Sequence, residues 1–96
     1  MRSRYSAYVK GEIDYLINTT DMNGPLWRND RDEWFEELSL FSRETHFQGL
    51  EILDVSSHYV RFEATLEIDG NDASFIETSR FTEEGEKWFY HSAEFE

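Results

Sequence analysis

The apolar residues of this chain change their spacing near Phe47, and that change constrains the fold more than any other feature. Before Phe47, apolar side chains recur every three or four residues, which is the spacing of a helix with one buried face. From Phe47 onward they alternate with polar residues, as in half-buried strands. Helices followed by strands predict an α+β domain in which the helices pack on one face of an antiparallel sheet.

Helical spacing covers Ser3 to Thr20 and again Asp32 to Arg43. Gly11 predicts that the first stretch forms two short helices, because glycine weakens a helix interior by about 1 kcal/mol. Asp30 is expected to cap the third helix, with Glu33 three residues later as in a capping box. The residues expected on the buried stripes are Met1, Tyr5, Tyr8, Val9, Ile13, Leu16 and Ile17, then Trp34, Phe35, Leu38 and Phe41.

The second half of the chain predicts about four strands. An edge strand begins near Leu50, and Val60 to Ile68 alternates apolar and polar residues over its whole length. A turn at 69–72 leads to a return strand over Ala73 to Thr82, and the last strand covers Lys87 to Phe95. We expect about three helices to lie across the concave face of a bent antiparallel sheet, giving a cone with a pocket at its open end.

The length and composition restrict the classes of protein. Ninety-six residues suit one domain, 1–96. The formal charge of −12 disfavours nucleic acid and anionic membranes as partners of this domain. The chain has no cysteine, which excludes disulfides and thiolate zinc sites within it, and no apolar run is long enough for a membrane span. We expect a cytoplasmic protein without metal or cofactor, since His46, His58 and His91 lack a metal-binding spacing.

The return strand carries the candidate site. Phe75 and Phe81 are its natural inward residues, so Glu77 and Ser79 between them would point into the pocket. A carboxylate in that position needs a partner, because burial disfavours charge. Arg2 and Arg4 on the first helix are the candidate partners, since a guanidinium can grip a carboxylate through two hydrogen bonds. The remaining pocket candidates are Tyr5, Tyr8 and Tyr90, which offer a ring and a hydroxyl, and His91.

Three interpretations of Glu77 follow from the sequence. Glu77 and an arginine would form a buried ion pair that ties helix to sheet. Alternatively, Glu77 would act as a general base in an open pocket, or the arginine would recognise an anionic ligand. In the third interpretation Glu77 faces solvent.

Two strings near the ends of the chain resemble the central domain of YchJ-like proteins. The first is Met1 to Val9 (MRSRYSAYV), followed by Tyr15, Leu16 and Thr19, and the second lies within Glu77 to Tyr90 (ETSRFTEEGEKWFY). Trp34 and Leu38 match the positions where the third helix packs. The resemblance implies a nuclear-transport-factor-2-like (cystatin-like) fold in a bacterial family without a settled biochemical role.

The chain departs from the family pattern in two respects. Members often carry cysteine-rich SEC-C segments that bind zinc beside this domain, and this sequence contains none, so we expect an excised domain or a reduced member. The family also tends to end in an Asp-Gly turn, where this sequence has His91, Ser92 and Ala93.

The resemblance favours a non-catalytic binding or scaffold module whose partner is a protein or a small-molecule ligand. The alternative is an enzyme or ligand-binding protein that uses the pocket around Glu77, by analogy with other proteins of this fold. An open cavity would favour the alternative, whereas a scaffold could fill the space with Tyr5, Phe62 and Phe81. A homodimer through the sheet would need a polar interface, because Arg61, Glu63 and Glu67 lie on the outer face.

Overall fold

The computed structural model describes residues 2–96, with side chains from Ser3 onward, and its elements follow the predicted order. The three helices are α1 (Arg2–Lys10), α2 (Ile13–Asn18) and α3 (Arg31–Glu44). The strands are β1 (Thr45–Val55), β2 (Tyr59–Ile68), the two-residue β3 (Asn71–Asp72), β4 (Phe75–Glu84) and β5 (Lys87–Phe95). The α+β class is therefore confirmed.

The four long strands form one antiparallel sheet in the order β1-β2-β4-β5, and β3 pairs with β2. The predicted edge strand, β1, is at an edge. The register shifts between Phe47 and Gly49, between Ile52 and Asp54, and again between Arg80 and Phe81. Such bulges bend a strand locally and increase its twist.

Gly11 separates α1 from α2, as predicted, with a backbone φ of +71° that favours glycine. Asp30 does precede α3, but its side chain makes no capping hydrogen bond. Its carboxylate instead accepts hydrogen bonds from the Arg28 guanidinium, so the predicted capping box is wrong. The predicted burial of Val9 and Phe35 is also wrong, because Val9 is 52% exposed and Phe35 is 39% exposed. The prediction for Met1 lies outside the described residues.

Two apolar clusters make up the core. The first joins the three helices and contains Ala7, Ile13, Leu16, Ile17 and Trp34, with Trp27 packed edge-on against Trp34. The second lies on the inner face of β2, around Phe62, Ala64 and Leu66. Within residues 2–96, no helix is long and apolar enough to cross a membrane.

The segment after α2 is fixed to β5 at Tyr90. The backbone N–H of Tyr90 donates to the Thr19 carbonyl at 2.6 Å, and the Asp21 N–H donates to the Tyr90 carbonyl at 2.8 Å. The Thr82 hydroxyl adds a hydrogen bond of 2.8 Å to the Asp21 carboxylate. The end of α2 is therefore held beside the middle of β5, where the candidate site lies.

Candidate functional site

Glu77 and Ser79 lie on the inner face of β4. Their exposed fractions are 6% and 0%, so the interpretation in which Glu77 faces solvent is wrong. Alternation along the strand produces this placement, because Phe75 and Phe81 share the same face. The Glu77 carboxylate is therefore buried among aromatic side chains.

Two hydroxyl groups donate to one oxygen of the Glu77 carboxylate. The Tyr90 hydroxyl donates to Oε2 at 2.9 Å from the neighbouring strand β5. The Ser79 hydroxyl donates to the same oxygen from two residues along β4. Hydrogen bonds to a charged group are worth more than those between neutral groups, so these hydroxyls offset part of the cost of burying the carboxylate.

Arg4 is buried, but it does not form the predicted ion pair with Glu77 in the described part of the chain. Its Nη1 donates to the Thr19 hydroxyl at 2.7 Å and to the Leu16 carbonyl at 3.3 Å. These acceptors lie at the C-terminal end of α2, where the helix dipole favours a cation. The guanidinium also lies 4.3 Å from the centre of the Tyr90 ring, so Tyr90 links the two charges.

Arg2, the other predicted partner of Glu77, has a side chain that lies outside the described residues. The prediction for Arg2 therefore stays a prediction.

The two tyrosines beside the charges have raised pKa values. Burial is the main cause for Tyr8, although the Arg4 charge opposes it. Burial is also the main cause for Tyr90, and the adjacent negative charge of Glu77 and the hydrogen bond to it raise the pKa of Tyr90 further. Both phenols therefore remain neutral hydrogen-bond donors well above neutral pH.

A cavity of about 340 Å³ lies between α1, α3 and the inner face of the sheet. Its walls are mostly aromatic, and Tyr5 and Tyr8 contribute from α1. The Tyr5 ring packs edge-on against Phe47 at 5.7 Å, and the Tyr8 ring packs likewise against Phe41. Arg4, Glu77 and Tyr90 form the polar part of the same lining. We call this space the aromatic cavity.

A second cavity, of about 300 Å³, shares Arg4 and Tyr90 with the first. It opens between the helices and the β1–β2 hairpin, and its lining includes Ser57, His58 and Trp88. We call it the hairpin cavity. No motif in the sequence marks these three residues as a site, because short polar turns join many strands and a lone tryptophan in a strand is typical of a core.

The remaining candidates lie outside the two cavity linings. Ser79 supports the Glu77 carboxylate from within the strand. His91 occupies the bulge in β5, where its Nδ1 is 3.1 Å from the Ser92 hydroxyl. Its ring lies so close to Gly24 that a Cβ there would be 3.0 Å from His91 Cδ2. In the described residues, no three His, Asp or Glu side chains are grouped as metal ligands would be.

Comparison with known proteins identifies the family of this chain. Residues 1–93 match the family described as the middle NTF2-like domain of YchJ. A UPF0225 protein of Serratia proteamaculans is 33% identical over 100 residues, which cover 94% of this chain and 60% of that protein. A UPF0225 protein of Bordetella pertussis is 34% identical over 95 residues, with coverages of 94% and 65%. The chain thus spans about three fifths of the length of these relatives.

A solved structure has the same fold. The solution structure of a SEC-C motif containing protein from Rhodopseudomonas palustris superposes with a TM-score of 0.75 at 27% sequence identity. The match covers 98% of this chain and 73% of that one. The chain therefore belongs to the YchJ family, as its middle, nuclear-transport-factor-2-like domain.

Proposed function

We propose that this domain is a binding module that holds a small, largely apolar molecule in the aromatic cavity. The observation that carries the proposal is a cavity of about 340 Å³ with a buried, hydrogen-bonded carboxylate at its polar side. That volume is at the lower end of the roughly 300–1,000 Å³ typical of small-molecule sites. A scaffold without a ligand would gain stability by filling such a space, because empty apolar volume costs packing energy.

The lining defines the ligand chemistry. Aromatic walls favour a flat ring or alicyclic body. The Glu77 carboxylate can accept about four hydrogen bonds, of which two come from Ser79 and Tyr90. It can therefore accept another from a hydroxyl, an amine or a ring N–H on the ligand. We expect a molecule with an apolar body and one hydrogen-bond donor at its head.

An enzyme that uses Glu77 as a general base is the second candidate. Its support is the buried carboxylate within an open cavity. Oε2 of Glu77 already accepts hydrogen bonds from two hydroxyl groups. Glu77 is therefore better suited to holding a ligand than to removing a proton from it. We therefore favour binding without catalysis.

Several further expectations accompany this proposal. The helices and the curved sheet would enclose the cavity as a cone, and the protein would act in the cytoplasm. The charge of −12 argues against nucleic acid or membranes as partners of this domain alone. In longer relatives, neighbouring segments would contact other macromolecules. A homodimer would use the polar outer face of the sheet.

The test compares 2-naphthol, which has a hydroxyl head, with naphthalene, which lacks it. Isothermal titration calorimetry should give saturable binding of 2-naphthol and weaker binding of naphthalene. The substitution Glu77→Gln should weaken the binding of 2-naphthol by roughly tenfold, because a hydrogen bond to a charged group is lost. The binding of naphthalene should not change.

The steric control is Ala64→Leu, since Ala64 is 3% exposed and lines the cavity. The larger side chain fills part of the space and should abolish binding of both probes. Thr65→Leu, on the opposite face of the same strand, should bind both probes as the parent protein does. Absence of saturable binding in the parent, or equal binding in Ala64→Leu, would contradict the proposal.

A further inference from the structure

The hairpin cavity differs from the rest of the surface in its charge. Aspartate and glutamate account for 21 of the 96 residues, yet none belongs to the lining of this cavity. The lining instead contains Arg4 and His58 together with several hydroxyl groups. In a chain with a formal charge of −12, an anion meets less repulsion in such a space than on a surface lined by carboxylates.

Hydrogen-bond donors surround this cavity on opposite sides. Ser3 and Tyr15 lie on the helix side, where the Tyr15 hydroxyl donates to Ser3 Oγ at 3.0 Å. Ser57 and His58 lie on the hairpin side, with Ser57 Oγ 3.0 Å from His58 Nδ1. Ser3 Oγ accepts from Tyr15, so the Ser3 hydroxyl can donate its own proton to another acceptor. Ser57 can do the same when His58 carries a proton on Nδ1.

Arg4 supplies the charge at the back of the cavity. Its Nη1 donates to the Leu16 carbonyl and the Thr19 hydroxyl, and the guanidinium carries further N–H donors at Nε and Nη2. Arg4 is 7% exposed, and its surroundings are low in dielectric, so its attraction for an anion is stronger than that of a surface arginine. Glu77 lines the aromatic cavity and does not line this one, which separates the carboxylate from an incoming anion.

One wall of the hairpin cavity is an exposed aromatic surface. Trp88 is 43% exposed, and its ring meets the His58 ring edge-on at 5.3 Å between centres. The Tyr59 hydroxyl, by contrast, donates to Asp54 at 2.9 Å and so is turned to a residue outside the lining. Trp88 therefore offers a flat apolar face beside the hydrogen-bond donors. A ligand that carries a ring next to its anionic group could pack that ring against Trp88.

We propose that the hairpin cavity binds the carboxylate or phosphate group of a small molecule, with Arg4 and the hydroxyls of Ser3 and Ser57 as donors and Trp88 against the body of the ligand. The site is on the other side of Arg4 and Tyr90 from the aromatic cavity, so it does not depend on the function proposed above. Trp88 and the hairpin would select a ligand with a planar ring.

The experiment is an NMR titration of the ¹⁵N-labelled protein at constant ionic strength. The probes are benzoate, phenyl phosphate and inorganic phosphate, with benzyl alcohol as the neutral analogue. Benzoate or phenyl phosphate should shift the amides of Ser57, His58 and Trp88 in a saturable way, with a Kd of roughly 1 mM for ligands of this size. Inorganic phosphate should bind more weakly than phenyl phosphate, because it lacks the ring.

The two aromatic anions distinguish the two ligand classes. Tighter binding of benzoate would assign the natural ligand to the carboxylates, and tighter binding of phenyl phosphate would assign it to the phosphates.

A charge variant tests the electrostatic argument without disturbing the core. Ser57→Glu adds a carboxylate at an exposed position of the lining. It should weaken the binding of benzoate and of phenyl phosphate by about tenfold. Gln48→Glu, exposed on β1 and outside the lining, changes the net charge equally and should bind them as the parent does. Arg4→Gln should also lose binding, and if it fails to fold, Ser57→Glu decides the question.

Three results would overturn the proposal. They are the absence of saturable shifts in the parent protein, equal affinity in Ser57→Glu and the parent, and equal affinity for benzyl alcohol and benzoate. The last would mean that Trp88 holds a ring and that no anion is recognised.

Discussion

Tyr90 joins the parts of the candidate site through its backbone, its ring and its hydroxyl. Its N–H and carbonyl are bonded to the segment that follows α2, and its ring lies under the Arg4 guanidinium. Its hydroxyl donates to Glu77. Tyr90 therefore lines both cavities, as Arg4 does, and contacts a cation through its ring and an anion through its hydroxyl.

The raised pKa values of Tyr8 and Tyr90 predict how stability depends on pH. In the unfolded chain these phenols lose their protons near pH 10, whereas in the folded protein they keep them to higher pH. The unfolded state therefore binds fewer protons above pH 10. The free energy of unfolding is fully retained below pH 10 and falls as the pH rises beyond it, by up to about 1.4 kcal/mol per pH unit for each tyrosine.

Urea unfolding between pH 9 and pH 11.5 checks this prediction. Tyr90→Phe should reduce the slope above pH 10, since phenylalanine carries no proton to lose. Tyr15→Phe, which removes a hydroxyl from a residue that is 39% exposed, serves as the matched control for the loss of one phenol. A slope that is the same in Tyr90→Phe as in the parent would show that Tyr90 ionises equally in both states.

At the scale of single residues, the sequence predicted where side chains point better than it predicted their partners. Alternation along β4 was enough to place Glu77 and Ser79 inside. The partner of Arg4 could not be predicted, because the Leu16 carbonyl and the Thr19 hydroxyl compete with Glu77 for its donors. Which acceptor wins depends on how α1 lies against α2, and hydrophobic spacing does not determine that angle.

At the scale of elements, hydrophobic spacing predicted the helices and strands to within a few residues, because each period fits one backbone geometry. It failed where local chemistry offered an alternative. Asp30 was predicted as a cap from its position, but Arg28 two residues earlier binds its carboxylate. Phe35 was predicted on the buried stripe of α3 and is 39% exposed, whereas its neighbour Trp34 is buried.

The loop between α2 and α3 depends on a close approach to β5 at Gly24. A Cβ on Gly24 would lie 3.0 Å from both the carbonyl oxygen and the ring carbon Cδ2 of His91. The carbonyl belongs to the sheet backbone and cannot move easily. Gly24→Ala should therefore lower the free energy of unfolding by about 1–3 kcal/mol, as other overpacked positions do.

Gly49→Ala is the matched control for this prediction. A Cβ on Gly49 would meet no atom within 4 Å, so the substitution should be neutral or slightly stabilising. Both variants can be compared by urea unfolding followed by far-ultraviolet circular dichroism. Equal stabilities for the two variants would mean that the loop moves away from β5 at no cost.

At the scale of the whole molecule, excess negative charge is the dominant electrostatic feature. If each of the nine Lys and Arg residues neutralised one carboxylate, 21 minus 9 would leave 12 unpaired. The ion pairs that the structure describes, such as Arg61 with Glu96 and Arg80 with Glu94, are exposed and contribute little to stability. On the outer face of the sheet Glu51 lies directly opposite Glu63, a like-charge pair that destabilises the strands.

Salt should therefore stabilise this protein, because counterions screen repulsion between exposed charges over distances of about 10 Å at 0.1 M. We expect the free energy of unfolding to rise by roughly 1 kcal/mol between 20 and 300 mM NaCl, as measured in urea.

Glu51→Lys turns the like-charge pair into an attractive one and should be more stable than the parent in low salt, with a smaller gain from added salt. Glu86→Lys changes the net charge equally in an exposed turn, so it separates the two contributions. A larger effect in Glu51→Lys would assign the repulsion to the strand pair, and equal effects would assign it to the net charge. The gain in stability from added salt should become smaller as the net charge is reduced. An unchanged salt dependence in both variants would therefore mean that self-repulsion does not limit the stability of this fold.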